Sequence, residues 1–380
     1  MKKSLFILFL AICLLLAGCA ETNEPLTESP EAVSKAEAAP SPAPFTAIDE
    51  RIESMTPEEK VWQLMYVYPE DVSGQLCCTD AEQWTSGLKE RPVGGLAFVS
   101  DNFPSEEETR AMMEAIVSSG GELFLGLDEE GGQVARLSYA LGVTTDFEPM
   151  YEYRSKGRSG AYLNARTIAK DIAAFGFNMD FAPVADVWTN QNNTVIGRRA
   201  YSNEPVEAAT LVAAAVSGLQ SEGVISVLKH FPGHGNTNED SHYFTAHTDK
   251  SLDEMRCCEF LPFASGIAAG CDAVMVGHII AEDIDPDKPA TLSKKVIDIL
   301  RYELDFDGLV LTDAFTMAGL GDIPESEAAV EAIMAGCDMI LAPADPDAAV
   351  QAIMENIPED RIDESLRRIL ELKYKWGIIE

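Results

Sequence analysis

Ile267-Ala268-Ala269-Gly270-Cys271-Asp272 runs into the apolar stretch Ala273-Val274-Met275-Val276, and Ile333-Met334-Ala335-Gly336-Cys337-Asp338 runs into Met339-Ile340-Leu341. The two segments share one design. A helical stretch ends at a glycine, where a left-handed residue commonly terminates a helix. A small cysteine and a capping aspartate then lead into a strand. Such joints belong to repeated αβ units, which makes Cys271 and Cys337 small core fillers. Working outward, apolar runs at 62–67, 95–99, 123–127, 178–182, 225–230, 273–278, 309–312 and 339–341 are expected as strands. Amphipathic stretches at 105–119, 159–175, 207–222, 252–269, 294–304 and 326–335 are expected as the helices between them, with a closing helix at 358–376. Strands alternating with helices predict a parallel sheet. Eight such units predict an α/β fold of the (β/α)8 TIM-type barrel class, one domain over 48–380. A doubly wound sheet would carry a glycine-rich phosphate turn after its first strand, whereas Val93-Gly94-Gly95-Leu96 precedes one.

A barrel places its chemistry at the C-terminal ends of its strands. Five expected strands end in, or lead to, titratable groups there: Asp128, Asp186, Lys229-His230, His278 and Asp313. Any one of them could be an ordinary solvated loop residue, but five at one rim favour an active site. The densest run, Lys229-His230-Phe231-Pro232-Gly233-His234-Gly235-Asn236-Thr237-Asn238-Glu239-Asp240-Ser241-His242, holds three of the five histidines. No cysteine joins this cluster and its spacing fits no helix face, so a zinc site is not expected. Asp240 and His242 are two apart and would point the same way from an extended loop. A carboxylate beside an imidazole fixes its tautomer and stabilises the imidazolium. No Gly-x-Ser-x-Gly elbow supplies a serine nucleophile. Asp313 is available to attack, yet its place before Ala314-Phe315-Thr316-Met317 equally suits a helix N-cap. The residues by themselves leave those two roles open.

Together these segments resemble glycoside hydrolase family 3, in its bacterial β-N-acetylglucosaminidase (β-N-acetylhexosaminidase) branch. The likeness runs from about residue 48 to the C-terminus through Asp128-Glu129-Glu130-Gly131-Gly132-Gln133-Val134-Ala135-Arg136, residues 181–187, Ile196-Gly197-Arg198-Arg199-Ala200-Tyr201, residues 229–242 and residues 311–317. The resemblance implies a single catalytic domain that needs no cofactor and no metal. It implies retaining hydrolysis of terminal non-reducing β-linked N-acetylglucosamine, from peptidoglycan fragments or related glycans. On this likeness Asp313 is the nucleophile that forms a covalent glycosyl–enzyme, His242 is the acid/base and Asp240 its partner. Asp128, Arg136, Arg199, Lys229 and His230 match positions that hold the sugar's hydroxyls and acetamido group, a task suited to charge-assisted hydrogen bonds. The usual retaining glycosidase has two carboxyl groups; here a histidine stands for the second. Other members of the wider family carry the acid/base on a following domain. This chain ends soon after its expected last helix, so the Asp240–His242 loop is expected to supply it. Gln133 and Asn236 stand where many relatives carry Arg and Asp. Competing uses of the same residues are a β-GlcNAc phosphorylase, a broader β-glycosidase, and a glycan-binding lipoprotein without catalysis.

The chain opens with Lys2 and Lys3, an apolar run at 5–16 and then Leu16-Ala17-Gly18-Cys19. That pattern predicts a signal peptide over 1–18. Leu16-Ala17-Gly18-Cys19 resembles a bacterial lipobox, which implies a lipoprotein signal cut before Cys19, a lipid on Cys19 and a place on the outward face of a bacterial membrane; the alternative is a plain secretory signal with an incidental cysteine. The apolar run is short for a permanent span. Residues 19–47 are rich in Glu, Ala, Pro and Ser without apolar periodicity, and are expected to form a disordered tether. With 63 Asp and Glu against 28 Lys and Arg, the formal charge of −35 argues against nucleic acid and against docking on anionic lipid. The expected partners are a glycan and, through Cys19 alone, the membrane. A monomer is expected. Cys77-Cys78 and Cys257-Cys258 suit either disulfides in an oxidising compartment or packed free thiols.

Overall fold

Met65–Val67 (β1), Gly95–Phe98 (β2), Phe124–Leu127 (β3), Met179–Asp180 (β4), Ile225–Phe231 (β5), Ala273–Val276 (β6), Leu309–Thr312 (β7) and Ile340–Leu341 (β8) form one parallel sheet. The computed structural model describes residues 45–238 and 244–380. The expected signal peptide, Cys19 and the tether up to residue 44 lie outside the described residues, as do Asp240 and His242. The strands neighbour one another in the order β7-β6-β5-β4-β3-β2-β1-β8. A parallel bridge between Leu311 and Met339 closes the seam, where the Thr312 N–H also donates to the Met339 carbonyl at 3.1 Å. The sheet is therefore the expected barrel. Its strands are apolar runs because helices cover one face and side chains fill the other. Tyr66 of β1 is fully buried, with its ring edge-on to Phe181 at 5.4 Å. A Cβ on Gly126 of β3 would sit 2.3 Å from the Tyr66 hydroxyl, so a bulkier residue there would displace it.

The two helix–strand joints have the expected form. Gly270 and Gly336 sit at φ +95° and +121°, and Cys271 and Cys337 are buried. The bonds of their aspartates run to distant partners rather than to a helix end. Asp272 accepts from Gln220 Nε2 at 2.9 Å and pairs with Lys375. Asp338 is fully buried and accepts from Arg301 Nη2 at 2.7 Å, Arg368 Nη1 at 3.0 Å, Ser365 Oγ at 2.8 Å and the Val310 N–H at 3.0 Å. These bonds tie the N-terminal ends of the strands to the closing helix Glu359–Lys375.

Some elements differ from the expected ones. Residues ahead of β1 are helical over Pro57–Trp62, because Thr56 and Glu59 form a capping box and proline occupies the first turn. The stretch 252–269 divides into Leu252–Cys257 and Phe260–Ala268, with Pro262 in the first turn of the second helix, where no N–H is needed. The helix from Lys294 turns into a π-helical turn at Ile299–Glu303. Helices also form at Phe45–Ser54, ahead of the expected start at 48, and at Ala81–Glu90, Arg136–Leu141 and Pro346–Asn356. The six described cysteines are all free thiols, which decides against disulfides within and between the two vicinal pairs.

Lys373 on the closing helix is 1% exposed. Its ammonium donates to Gln63 Oε1 at 2.8 Å and lies 5.2 Å from the centroid of the Phe124 ring. Burial, then the nearby Arg51 charge, pushes its pKa down to about 7. Between that value and the ordinary lysine value of about 10.4, the unfolded chain binds more protons than the folded one. Stability therefore rises with pH across this window, and the penalty of the buried charge is complete below it. Lys373→Met is expected to raise the urea midpoint more at about pH 6 than at about pH 9. Equal changes at the two pH values would rule this account out.

Candidate active site

At the C-terminal ends of the strands lies a cavity of about 240 Å³, near the small end of ligand pockets. Asp128, Arg136, Arg199, Lys229, His230 and Asp313 all line it, with Tyr68, His234 and Thr316 adding polar atoms. Phe98, Phe181, Met275 and Leu341 supply apolar surface. The strand ends do most of the placing. Asp128 directly follows β3, Lys229 and His230 lie near the C-terminal end of β5, and Asp313 directly follows β7. Arg136 arrives by a detour. A tight hairpin pairs Glu129–Gly131 with Val134–Ala135 and turns through Gly131 and Gly132 at φ +86° and +69°. Glu129 then accepts from the Leu137 and Ser138 N–H groups at 2.8 and 2.9 Å, fixing the start of the helix Arg136–Leu141. Arg136 Nη2 comes to 3.5 Å from Asp128 Oδ2.

One carboxylate that organises this site has no role in the sequence reading above. Glu130 takes a bidentate pair from Arg199, Nε at 2.8 Å and Nη2 at 2.7 Å, and also binds Lys229 Nζ at 2.5 Å. Lys229 Nζ lies 2.5 Å from Asp128 as well. The signal was present: in an extended strand residues two apart share a face, which puts Glu130 beside Asp128 and turns Glu129 away. Burial pushes the Asp128 carboxyl up, but Lys229 and Arg136 outweigh it and hold the group below its usual range. Glu130 is held well below its range, since Arg199 and Lys229 outweigh its burial. Burial pulls Lys229 down, and Asp128 and Glu130 more than restore it. Behind this row the balance reverses. Burial pushes Glu129 up to about 7 and Asp180 well above the carboxylate range.

Two of the six rim residues stand one layer back from the cavity. Asp186 is buried behind His230, with Oδ2 at 2.7 Å from His230 Nδ1, while Oδ1 accepts the His234 N–H at 2.6 Å. With Asp186 as the accepting carboxylate, the ring proton of His230 sits on Nδ1 and is donated to Asp186, and the other ring nitrogen points away from it. Burial would raise the Asp186 carboxyl; the two histidines lower it. His234 is itself lowered, by burial and then by His230. His278 is fully buried behind Asp313. The Asp313 backbone N–H donates to the Val276 carbonyl at 2.8 Å, and its own Oδ1 accepts the Ala314 N–H at 2.8 Å. No helix begins there, and the next helical turn is a 3-10 turn at Ala318–Leu320. The N-cap role for Asp313 is therefore excluded.

Asp240 and His242 fall outside the described residues, but both flanks of their loop are held. Asn193 Nδ2 donates to the His234 and Thr237 carbonyls at 2.8 and 3.1 Å. Beyond the loop, Ala246–Thr248 pairs in parallel with Ile279–Ala281. Among the described residues no group of three or more His, Cys, Asp or Glu side chains is arranged to hold a metal ion.

Glu130→Gln keeps the volume but removes the charge that two buried cations share. Its expected cost is about 3–5 kcal/mol of folding stability, the usual size for breaking a buried ion pair. The urea midpoint measures it, and an unchanged midpoint would show that Asp128 alone suffices.

Comparison with known proteins agrees on the family. The glycosyl hydrolase family 3 N terminal domain matches residues 56–372. A Beta-hexosaminidase of Stenotrophomonas maltophilia (strain K279a) is 34% identical over 279 residues, covering 71% of this chain and 81% of that protein. The solved glycoside hydrolase family 3 beta-N-acetylglucosaminidase of Paenibacillus sp. str. FPU-7 superposes with a TM-score of 0.78 at 33% identity, over 86% of this chain and 63% of that one. The Beta-N-acetylhexosaminidase of Beutenbergia cavernae DSM 12333 superposes with a TM-score of 0.72 at 28% identity, over 84% of this chain and 99% of that one. Residues 56–372 cover most of the chain, and the chain belongs to glycosyl hydrolase family 3.

Proposed function

We propose that this hydrolase removes terminal non-reducing β-linked N-acetylglucosamine with retention of configuration, using Asp313 as nucleophile and the Asp240–His242 pair as acid/base. The observation that carries the reading is the convergence of Asp313 with Asp128, Arg136, Arg199, Lys229 and His230 on one small cavity. The names of the relatives support the choice of sugar. A cavity of about 240 Å³ suits a single ring rather than an internal segment of a polymer. The glycan would enter by its end, with the aglycone left outside.

The chemistry follows from the residues. The Asp313 carboxylate attacks the anomeric carbon, and the His242 imidazolium gives its proton to the departing glycosidic oxygen. The neutral His242 then takes a proton from water, whose oxygen attacks the anomeric carbon and releases Asp313. Asp240 steadies the imidazolium in each step. Asp128, Lys229 and Arg199 are held in place by one another and by Glu130, so they meet the sugar's hydroxyls without reorganising. Arg136 lines the cavity with a partly exposed guanidinium and can donate to the substrate. The leader supports a lipid on Cys19 and a place on the outer face of the membrane, where peptidoglycan fragments are the natural substrate class.

An aryl β-glycoside panel (GlcNAc, GalNAc, glucose, xylose) in phosphate-free buffer tests this. Free GlcNAc is expected first as the β-anomer by NMR. Asp313→Ala should lower kcat by about a thousandfold or more. His242→Ala should cost about 10²–10⁴-fold on substrates with poor leaving groups, and much less with a nitrophenolate leaving group. Wild-type rates in both variants, or release that depends on added phosphate, would refute the mechanism. Cys19→Ser is expected to move the activity from the membrane to the soluble fraction; retention at the membrane would refute the anchor.

A further inference from the structure

The rim residue His278 has no part in the mechanism above, yet it is fully buried against the segment that carries Asp313. Its Nε2 lies 3.1 Å from the Ala314 carbonyl oxygen, and its Nδ1 lies 2.7 Å from Thr291 Oγ1. A carbonyl oxygen only accepts, so the ring proton sits on Nε2 and is donated to Ala314. Thr291 Oγ1, also fully buried, has Nδ1 and the Gly277 carbonyl, at 3.0 Å, within reach of its one proton. Burial lowers the His278 pKa against the pull of Asp313, which keeps the ring neutral. The ring packs on Phe315 at 5.8 Å.

The residues on either side of Ala314 are pinned as well. The Asp313 N–H donates to the Val276 carbonyl at 2.8 Å, and the Phe315 N–H donates to the Leu341 carbonyl at 2.9 Å. Between those two points the Ala314 N–H binds the Asp313 carboxylate at 2.8 Å. The orientation of that N–H, and through it of the carboxylate, depends on what holds residue 314. Val276 and Leu341 hold its neighbours; His278 holds Ala314 itself.

We propose that His278 is a positioning residue that sets the attack geometry of Asp313 by clamping the Ala314 carbonyl, with Thr291 fixing the ring. This rests on the reading of Asp313 as the nucleophile. His278 touches no substrate, so its loss acts on the reaction step rather than on sugar binding.

The test compares His278→Asn and His278→Gln with wild type and Asp313→Ala on an aryl β-GlcNAc substrate, with the unfolding midpoint of each variant. Glutamine can place an amide donor about where Nε2 sits, whereas asparagine reaches only the Thr291 side. His278→Asn is expected to lose about 100-fold in kcat, the cost of a roughly 1 Å misplacement, with KM unchanged. His278→Gln is expected to recover most of that loss at a similar midpoint. Wild-type kcat in folded His278→Asn, or equal loss in Asn and Gln, overturns the proposal. Thr291→Val gives the same readout where a His278 variant does not fold. It should lower kcat by about tenfold, the loss of one hydrogen bond, at unchanged KM, and wild-type kcat there also overturns the proposal. Activity retained in Asp313→Ala would instead sink the nucleophile itself.

Discussion

Lys229 lies near the end of its strand with Asp128 and Glu130 each 2.5 Å from its ammonium, and it is 2% exposed. An ammonium so deep in a protein is tolerable only if carboxylates replace the lost water. Glu130 meets that need for Lys229 and for Arg199, and Asp128 meets it for Lys229 and Arg136. Three cations and two carboxylates from several chain segments thus hold one another in place. Each group has a partner within the protein, so the network is held in place without a ligand.

The same barrel uses charge differently at its two ends. At the strand N-termini, Asp338 gathers Arg301, Arg368 and Ser365 around one fully buried carboxylate. That cluster ties the closing helix to the sheet and faces no cavity. At the strand C-termini the network is open on one side, and Asp128 and Arg136 keep partial exposure. Stability is concentrated below and chemistry above, the usual division of a barrel. A second row at that same rim, with Asp186 behind His230 and His278 behind Asp313, backs the groups that face the cavity.

Much of this was legible in the chain. The alternation of apolar runs with amphipathic stretches depends on local periodicity, and it led to the barrel. The joints at Gly270 and Gly336 were readable because left-handed glycine and a short apolar strand are local requirements. The helices at Pro57–Trp62 and Pro346–Asn356 were less so, since capping there outweighs the weak periodicity of short segments. The rim residues were visible as titratable groups at strand ends. Their division into a cavity-facing row and a backing row was not, because it depends on where each backbone turns after its strand.

The amino-acid sequence by itself determined the barrel, the family and the residues that converge on the cavity, since each follows from periodicity or from motif. It left Asp313 divided between a nucleophile's position and a helix cap. Only the tertiary structure removed the cap, by showing an irregular turn where a helix was an option. It alone paired Glu130 with Arg199 and Lys229 and His278 with Ala314, residues 69, 99 and 36 positions apart. Such partners meet only when the closed sheet brings its strand ends to one rim, and no local pattern records that meeting.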